Sequence, residues 1–223
     1  MPDEAKPKNH AMTAPVFSEE FRAELELLFR WRRDVRRFSP RPVDPELLLR
    51  LIGVTATAPS VGFSQPARFV HVADLGRRAA IVAEYERCNS EALATYAGSQ
   101  AQLYARLKLA GLQEAPVHLA VFSDEGTPRG SGLGRLQMTE TLAYSVVAAV
   151  YTLCLAARAY GLGVGWVSIL DPGQVRSILE VEPQWRFVAY LCVGYPVEEH
   201  DDRELVRAGW ERPDPASTVL LER

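Results

Sequence analysis

The sequence predicts an α+β domain, and three patterns carry that prediction. Helical and strand-like segments are mixed without regular alternation, which argues against a doubly wound sheet. A stretch from Thr139 to Tyr160 is apolar on nearly all sides, as expected of a helix held in a core or at a subunit interface. Short β-branched and aromatic runs, Val117 to Phe122, Val164 to Leu170 and Trp185 to Val193, supply strands.

In chain order, residues 1–16 read as a polar, Pro-containing disordered tail without the apolar core of a signal peptide. Residues 17–223 read as one domain. Ser18-Glu19-Glu20 opens a helix, with Phe21, Leu25, Leu28 and Phe29 at helical spacing and an expected stop near Ser39-Pro40. Asp44-Pro45-Glu46 starts a second helix running to about Thr57. Ala58 to Pro66 is a turn-rich loop feeding a strand at Arg68 to Val72. Asp74 to about Gly111 reads as two or more helices with a break near Gly98, and Gly126 to Gly134 as a mobile Gly-rich loop. The helix from Thr139 stops at Gly161-Leu162-Gly163. Asp171-Pro172 opens another short helix.

Composition removes several function classes. The 223 residues carry 25 basic and 28 acidic side chains, net −3, which excludes a bulk nucleic-acid binder because such proteins need a basic field. Leu142 to Ala157 is too short and too interrupted for a membrane span. Cys88, Cys154 and Cys192 form no CxxC pair, which fits free thiols in a reducing cytoplasm. His10, His71, His118 and His200 are scattered, and no metal site is assigned.

Against that balance, five of the eight residues from Arg30 to Arg37 are arginine. Guanidinium groups present planar forks of donors that match phosphate oxygens, so Arg32, Arg33 and Arg36 read as an anion clamp or as a solvated basic face. Arg32 and Arg36 are four apart and share a face if the helix runs through them. A helix C-terminus repels anions, so the side chains and not the macrodipole must hold a phosphate here. Asp34, inside the cluster, either braces the arginines or faces chemistry nearby. Pro59 to Pro66, with Gly62 permitting close backbone approach, suits a ligand-wrapping loop or a plain connector. Ser168 stands in the apolar run Gly163-Val164-Gly165-Trp166-Val167-Ser168-Ile169 and needs a partner, from a ligand or from the local backbone. Gly161-Leu162-Gly163 follows a helix and precedes a strand, the wrong context for a dinucleotide fingerprint.

Taken together, Arg32-Arg33-Asp34-Val35-Arg36-Arg37-Phe38, Pro59-Ser60-Val61-Gly62-Phe63-Ser64-Gln65-Pro66, Arg106-Leu107-Lys108-Leu109, Glu114-Ala115-Pro116-Val117 and Gly161 to Ile169 resemble the nitroreductase-like flavoprotein superfamily. The match runs from about Phe21 to Arg212, and within it the likeness is to the branch of flavin-fragmenting 5,6-dimethylbenzimidazole synthases. The resemblance implies a central mixed, mainly antiparallel sheet flanked by helices, in an intertwined homodimer with FMN at the interface. It implies Arg32 on the phosphate, with Arg33, Asp34 and Val35 beside it, and Arg36 near the ribityl chain and pyrimidine edge. It further implies Pro59, Ser60 and Gly62 reaching the partner's flavin, Trp166 and Val167 along the flavin, and Ser168 near flavin N5. Arg212 would be the C-terminal basic residue, with Arg203 in reserve. Superfamily members usually carry Ser where this chain has Asp34, and often Trp where it has Ala67.

For the synthase branch the resemblance implies that FMN, as FMNH2, is consumed with O2. The products are 5,6-dimethylbenzimidazole, the cobalamin lower ligand, and erythrose 4-phosphate. Asp34 and Ser168 would be catalytic, residues 80–111 a helical lid that Arg106 and Lys108 help to close, and the C-terminal extension would reach the partner. A separate flavin reductase is then implied, since no nicotinamide motif is present. The competing expectations are an FMN-dependent NAD(P)H nitroreductase or flavin reductase, and a flavin carrier without catalysis.

Overall fold

The computed structural model describes residues 14–107 and 111–223. Most of the predicted N-terminal tail, and Lys108 of the predicted lid, lie outside the described residues.

Four strands form one antiparallel sheet in the order β1-β2-β4-β3: β1 Ala67–His71, β2 Val117–Asp124, β3 Gly163–Val167 and β4 Trp185–Gly194. Successive side chains of a strand point to opposite faces, and β2 shows the consequence. Leu119 and Val121 enter one core with α6 Thr141–Ala159 and with Leu51 of α2 Pro45–Val54. Ala120 and Phe122 enter a second core with Ile81 of α3 Leu75–Ala94 and with Val175 and Leu179 of α7 Pro172–Leu179. Helices therefore cover both faces, which is why β2 and the end of β4 read as continuous apolar runs. Fully buried leucines such as Leu153 make α6 costly to disturb; truncation to alanine loses about 2–5 kcal/mol.

α6 is long and apolar enough by length and composition to cross a membrane. Here one of its faces forms the inner wall of the domain, while Tyr144, Val147 and Tyr151 on another face stay exposed. The first helix, α1 Glu19–Trp31, is capped by Ser18, whose hydroxyl accepts the Phe21 N–H at 3.2 Å. It buries no residue in the monomer, although Phe21, Leu25 and Phe29 recur along one face.

α1 ends at Trp31, well before the expected stop at Ser39. Arg32 is already extended, with ψ 115°, and the Val35 N–H donates to the Val164 carbonyl at 3.1 Å. The expectation that Arg32 and Arg36 share a helical face is therefore corrected: the run beyond Trp31 is an edge segment bridged in parallel to β3 at Asp34 and Val164. This bridge makes the sheet mixed though mainly antiparallel. In extended chain, alternate residues share a side, so Arg32, Asp34 and Arg36 still converge, while Val35 turns toward Gly163.

Two other boundaries differ from expectation. β3 stops at Val167, so Ser168 lies in the exposed turn before α7 rather than in a strand. That turn is held by α3, since the Asp171 N–H donates to Glu84 at 3.2 Å, and the Glu84 carboxylate also takes two bonds from Arg87. The second predicted helix ends as α2 and a separate 3-10 turn, Thr55–Thr57. The Gly-rich loop meets the loop at Gly62: a β-carbon on Gly130 would stand 2.6 Å from the Gly62 carbonyl oxygen, so the two loops pack backbone on backbone. Between them lie α4 Gly98–Arg106 and α5 Gly111–Glu114, and α8 Glu204–Arg207 follows the sheet.

Candidate active site

The edge segment after α1 and the chain around α8 enclose a recess of about 340 Å³, in the size range of small-molecule sites. Arg32, Arg33, Asp34, Val35 and Arg36 form one wall; Cys154 and Arg158 of α6, the start of β3 and the chain between 198 and 208 form others. The glycines of β3 allow this closeness. A β-carbon on Gly163 would come 2.5 Å from Val35 Cγ2, and one on Gly165 would overlap the Val35 carbonyl oxygen. With both absent, the segment lies against β3, and the Trp166 N–H donates to Asp34 Oδ1 at 2.8 Å.

The arginines divide into two sets. Arg37 is committed to Glu114, at 3.0 and 3.1 Å, and the Phe38 N–H bonds the same carboxylate. Arg33 staples the C-terminal segment by donating to the carbonyls of Asp202 (3.1 Å), Asp201 and Arg32 (2.9 Å). Burial, then the neighbouring Arg203 and Arg32, pull its guanidinium below the usual value. By contrast, Arg32 has no ion pair and no side-chain hydrogen bond among the described residues, and its Nε is buried without a partner. Its guanidinium stands 5.9 Å over the Tyr151 ring. Arg36 Nε is also buried and unbonded. Buried guanidinium donors without acceptors are costly, and an incoming anion would satisfy them. Three acids of the recess are paired elsewhere, Glu199 with Arg158, Asp202 with Arg207 and Glu198 with His200, while Asp34 and Glu204 stand 3.6 and 3.5 Å from Arg36; none pairs with Arg32. The residues present thus fit a phosphate-bearing cofactor.

Asp34 keeps 44% of its side-chain surface open to the recess, yet protein atoms crowd it on every other side. Desolvation therefore raises its carboxyl above the ordinary value, against the pull of the Trp166 N–H and of Arg36 and Arg32. A carboxyl with raised proton affinity beside Arg32 and Arg36 is suited to moving a proton.

The other predicted residues are dispersed. Pro59 and Ser60 line a second recess of about 360 Å³ that shares no lining residue with the first. Ser60 Oγ accepts the Gln65 N–H at 3.1 Å, and the Val61 N–H donates to Ser145 of α6 at 3.0 Å, so this loop has a fixed shape. Gly62, at φ +56°, is where that shape requires glycine. Trp166 is half-buried, Val167 is buried, and Ser168 is exposed without reaching the arginine recess within one chain. Arg212 lies on the exposed tail beyond α8, away from both recesses, whereas Arg203 stands at the arginine wall. Sequence reasoning missed Glu204, whose carboxylate lies 3.5 Å from Arg36, and Glu84, which anchors the turn bearing Ser168. No motif signals either, because each acts on residues remote in the chain.

Comparison with known proteins now decides the family. Residues 29–195 match the Nitroreductase family model. The chain belongs to the nitroreductase family. Within the family it is 55% identical over 205 residues to 5,6-dimethylbenzimidazole synthase of Rhodospirillum rubrum, covering 91% of this chain and 97% of that one. The protein of that name from Rhodobacter capsulatus is 45% identical over 199 residues, covering 89% and 96%. Among solved structures, iodotyrosine deiodinase bound to FMN and 3-iodo-L-tyrosine superposes with a TM-score of 0.69 at 26% identity, covering 89% of this chain and 97% of that one. A nitroreductase family protein from Streptococcus pneumoniae shares the fold, with a TM-score of 0.59 at 21% identity and coverage of 89% and 99%.

Proposed function

We propose that this chain is a 5,6-dimethylbenzimidazole synthase that binds reduced FMN as substrate, in the cytoplasm. The observation that carries the reading is Asp34: a carboxylate built into the arginine recess and held by the Trp166 N–H at 2.8 Å. The identity to synthases over nearly the whole chain points the same way. Reduced FMN, when bound, supplies the electrons that meet O2 and the carbon skeleton that is fragmented to 5,6-dimethylbenzimidazole and erythrose 4-phosphate.

The chain's own residues then have distinct tasks. Arg32 takes the phosphate with its uncommitted guanidinium, and Arg33 adds a donor while keeping the 201–202 segment in place. Arg36 faces the ribityl chain and pyrimidine edge, and Val35 seats the segment on β3. Asp34 accepts a proton from a ribityl hydroxyl as carbon–carbon cleavage demands, and returns it later. Trp166 and Val167 border the flavin, and Ser168 supplies the hydrogen bond at N5. Pro59, Ser60 and Gly62 are contributed to the partner's site. The exposed apolar faces of α1 and α6 support a homodimer, because a helix with no buried residue needs a second chain to cover it. Arg203 is assigned the C-terminal cation of this recess, and Arg212 is assigned to the partner's site through the C-terminal extension. α3 and α4 act as the water-excluding lid, tied to the C-terminal segment by Tyr96 and Tyr104 packing on Trp210. A separate flavin reductase supplies FMNH2.

The test is incubation of the protein with photoreduced FMN, followed by air and mass detection of products. The reading expects 5,6-dimethylbenzimidazole with loss of the flavin absorbance. Quantitative return of intact FMN, with NAD(P)H oxidation by the protein alone, would establish the reductase alternative instead.

A further inference from the structure

Arg36 is shared between two carboxylates. Its Nε lies 3.6 Å from Asp34 Oδ2 and 3.5 Å from Glu204 Oε2, and that nitrogen is within hydrogen-bond geometry of neither. The Arg36 side chain is only 12% exposed, so solvent screens these contacts weakly. Glu204 does not arrive there by chance of a loose tail. Arg33 grips the Asp201 and Asp202 carbonyls, Arg207 pairs with Asp202, and α8 presents Glu204 to the recess. An acid beside a cation of this anion-binding recess weakens anion binding, so its placement calls for another account.

The groups facing Asp34 supply one. Arg32, Arg33 and Arg36 come from its own segment, Cys154 from α6, Cys192 from β4, and Arg203 and Glu204 from the chain around α8. Burial pushes the Cys154 and Cys192 thiols up to about 11 and about 12, so both are neutral at physiological pH. Glu198, Glu199 and Asp202 line the same recess but are paired with His200, Arg158 and Arg207, so Glu204 is the acid that shares a cation with Asp34.

We propose that Glu204 is a positioning residue for the reaction: by competing with Asp34 for the same Nε of Arg36, it keeps Asp34 incompletely neutralised and able to take a proton from the substrate. The inference rests on the reading of Asp34 as the acid/base of the site. Without Glu204, Arg36 would close on Asp34 and the repulsion between the two carboxylates would vanish. Both changes favour ionised Asp34, which makes it a weaker base.

The experiment titrates Asp34 by NMR in flavin-free protein labelled with carboxyl-13C aspartate, its resonance identified by its loss in Asp34→Asn. In Glu204→Gln the Asp34 midpoint should fall by about half a pH unit or more. Glu204→Asp should bring it back toward the wild-type value. Glu204 is 38% exposed, so the variants should fold, which thermal unfolding checks. The acidic limb of the pH–rate profile for product formation should move to lower pH with the NMR midpoint. An unchanged or raised Asp34 midpoint in Glu204→Gln would overturn the proposal. If the midpoint falls but no variant or wild type yields 5,6-dimethylbenzimidazole, the coupling stands and the synthase reading fails.

Discussion

Gly165→Ala places a methyl group where the Val35 carbonyl oxygen already sits. Neither partner is a flexible side-chain end, so the edge segment must retreat from β3. A normal carbon–oxygen contact there needs a shift of about 1 Å, enough to cost roughly 10²-fold in rate when it displaces catalytic groups. Two hydrogen bonds stretch in the retreat: Val35 N–H to the Val164 carbonyl, now 3.1 Å, and Trp166 N–H to Asp34, now 2.8 Å. The first is worth about 1 kcal/mol and the second, to a charged acceptor, about 1.5–3 kcal/mol. The variant should therefore lose up to about 2.5–4 kcal/mol in urea unfolding. Its affinity for FMN should fall as well, because Arg32 and Arg36 travel with the segment. Calorimetric FMN titration beside urea melts makes the check. Wild-type stability together with wild-type affinity would refute the claim that backbone contact with β3 sets the arginine wall.

Arg32→Ala should weaken FMN binding by about 1.5–3 kcal/mol, the worth of a charge-assisted hydrogen bond, with little change in the unfolding midpoint because the Arg32 side chain has no hydrogen bond or ion pair among the described residues. Equilibrium dialysis showing unchanged affinity would remove it from the phosphate site. A different core group sets acid stability. His118 is buried, with Nδ1 3.0 Å from the Tyr190 hydroxyl, and burial, then Arg78, holds its imidazole down to about 4. The unfolded chain takes up that proton near 6.5, so stability should fall as pH drops from about 6.5 to about 4, by up to about 3 kcal/mol, and level off below. His71, also lowered, adds a part of the same sign, so the comparison is with His118→Gln, whose urea midpoint should vary less over that window. Equal pH dependence in the two proteins would contradict the assignment.

Much of the architecture is legible in the residues. Ser18 and Asp44 announce their helices as caps, the apolar stretch from Thr139 finds the core helix, and Gly161 ends it. The arginine run reads as a candidate anion clamp from guanidinium chemistry alone, but its local structure is not legible. Arginine, valine and tryptophan tolerate a helix, and the contact that breaks it comes from Val164, far along the chain. The glycines of β3 gave no hint that they make room for Val35. Ser168 reads as strand because Ile169 and Leu170 continue the apolar pattern, while the turn is decided by Asp171 capping α7 and by Glu84. Glu204 is invisible to any local pattern, since its partner Arg36 lies on a segment remote in sequence.

The most direct test of the central claim, that a carboxylate among the arginines turns flavin binding into flavin destruction, is single-turnover product analysis of Asp34→Asn loaded with reduced FMN and mixed with air. The amide keeps the shape and can still face the Trp166 N–H with its oxygen, so FMN affinity should stay near wild type. Mass detection should find no 5,6-dimethylbenzimidazole and full recovery of FMN. Product at the wild-type yield from this variant would contradict the account.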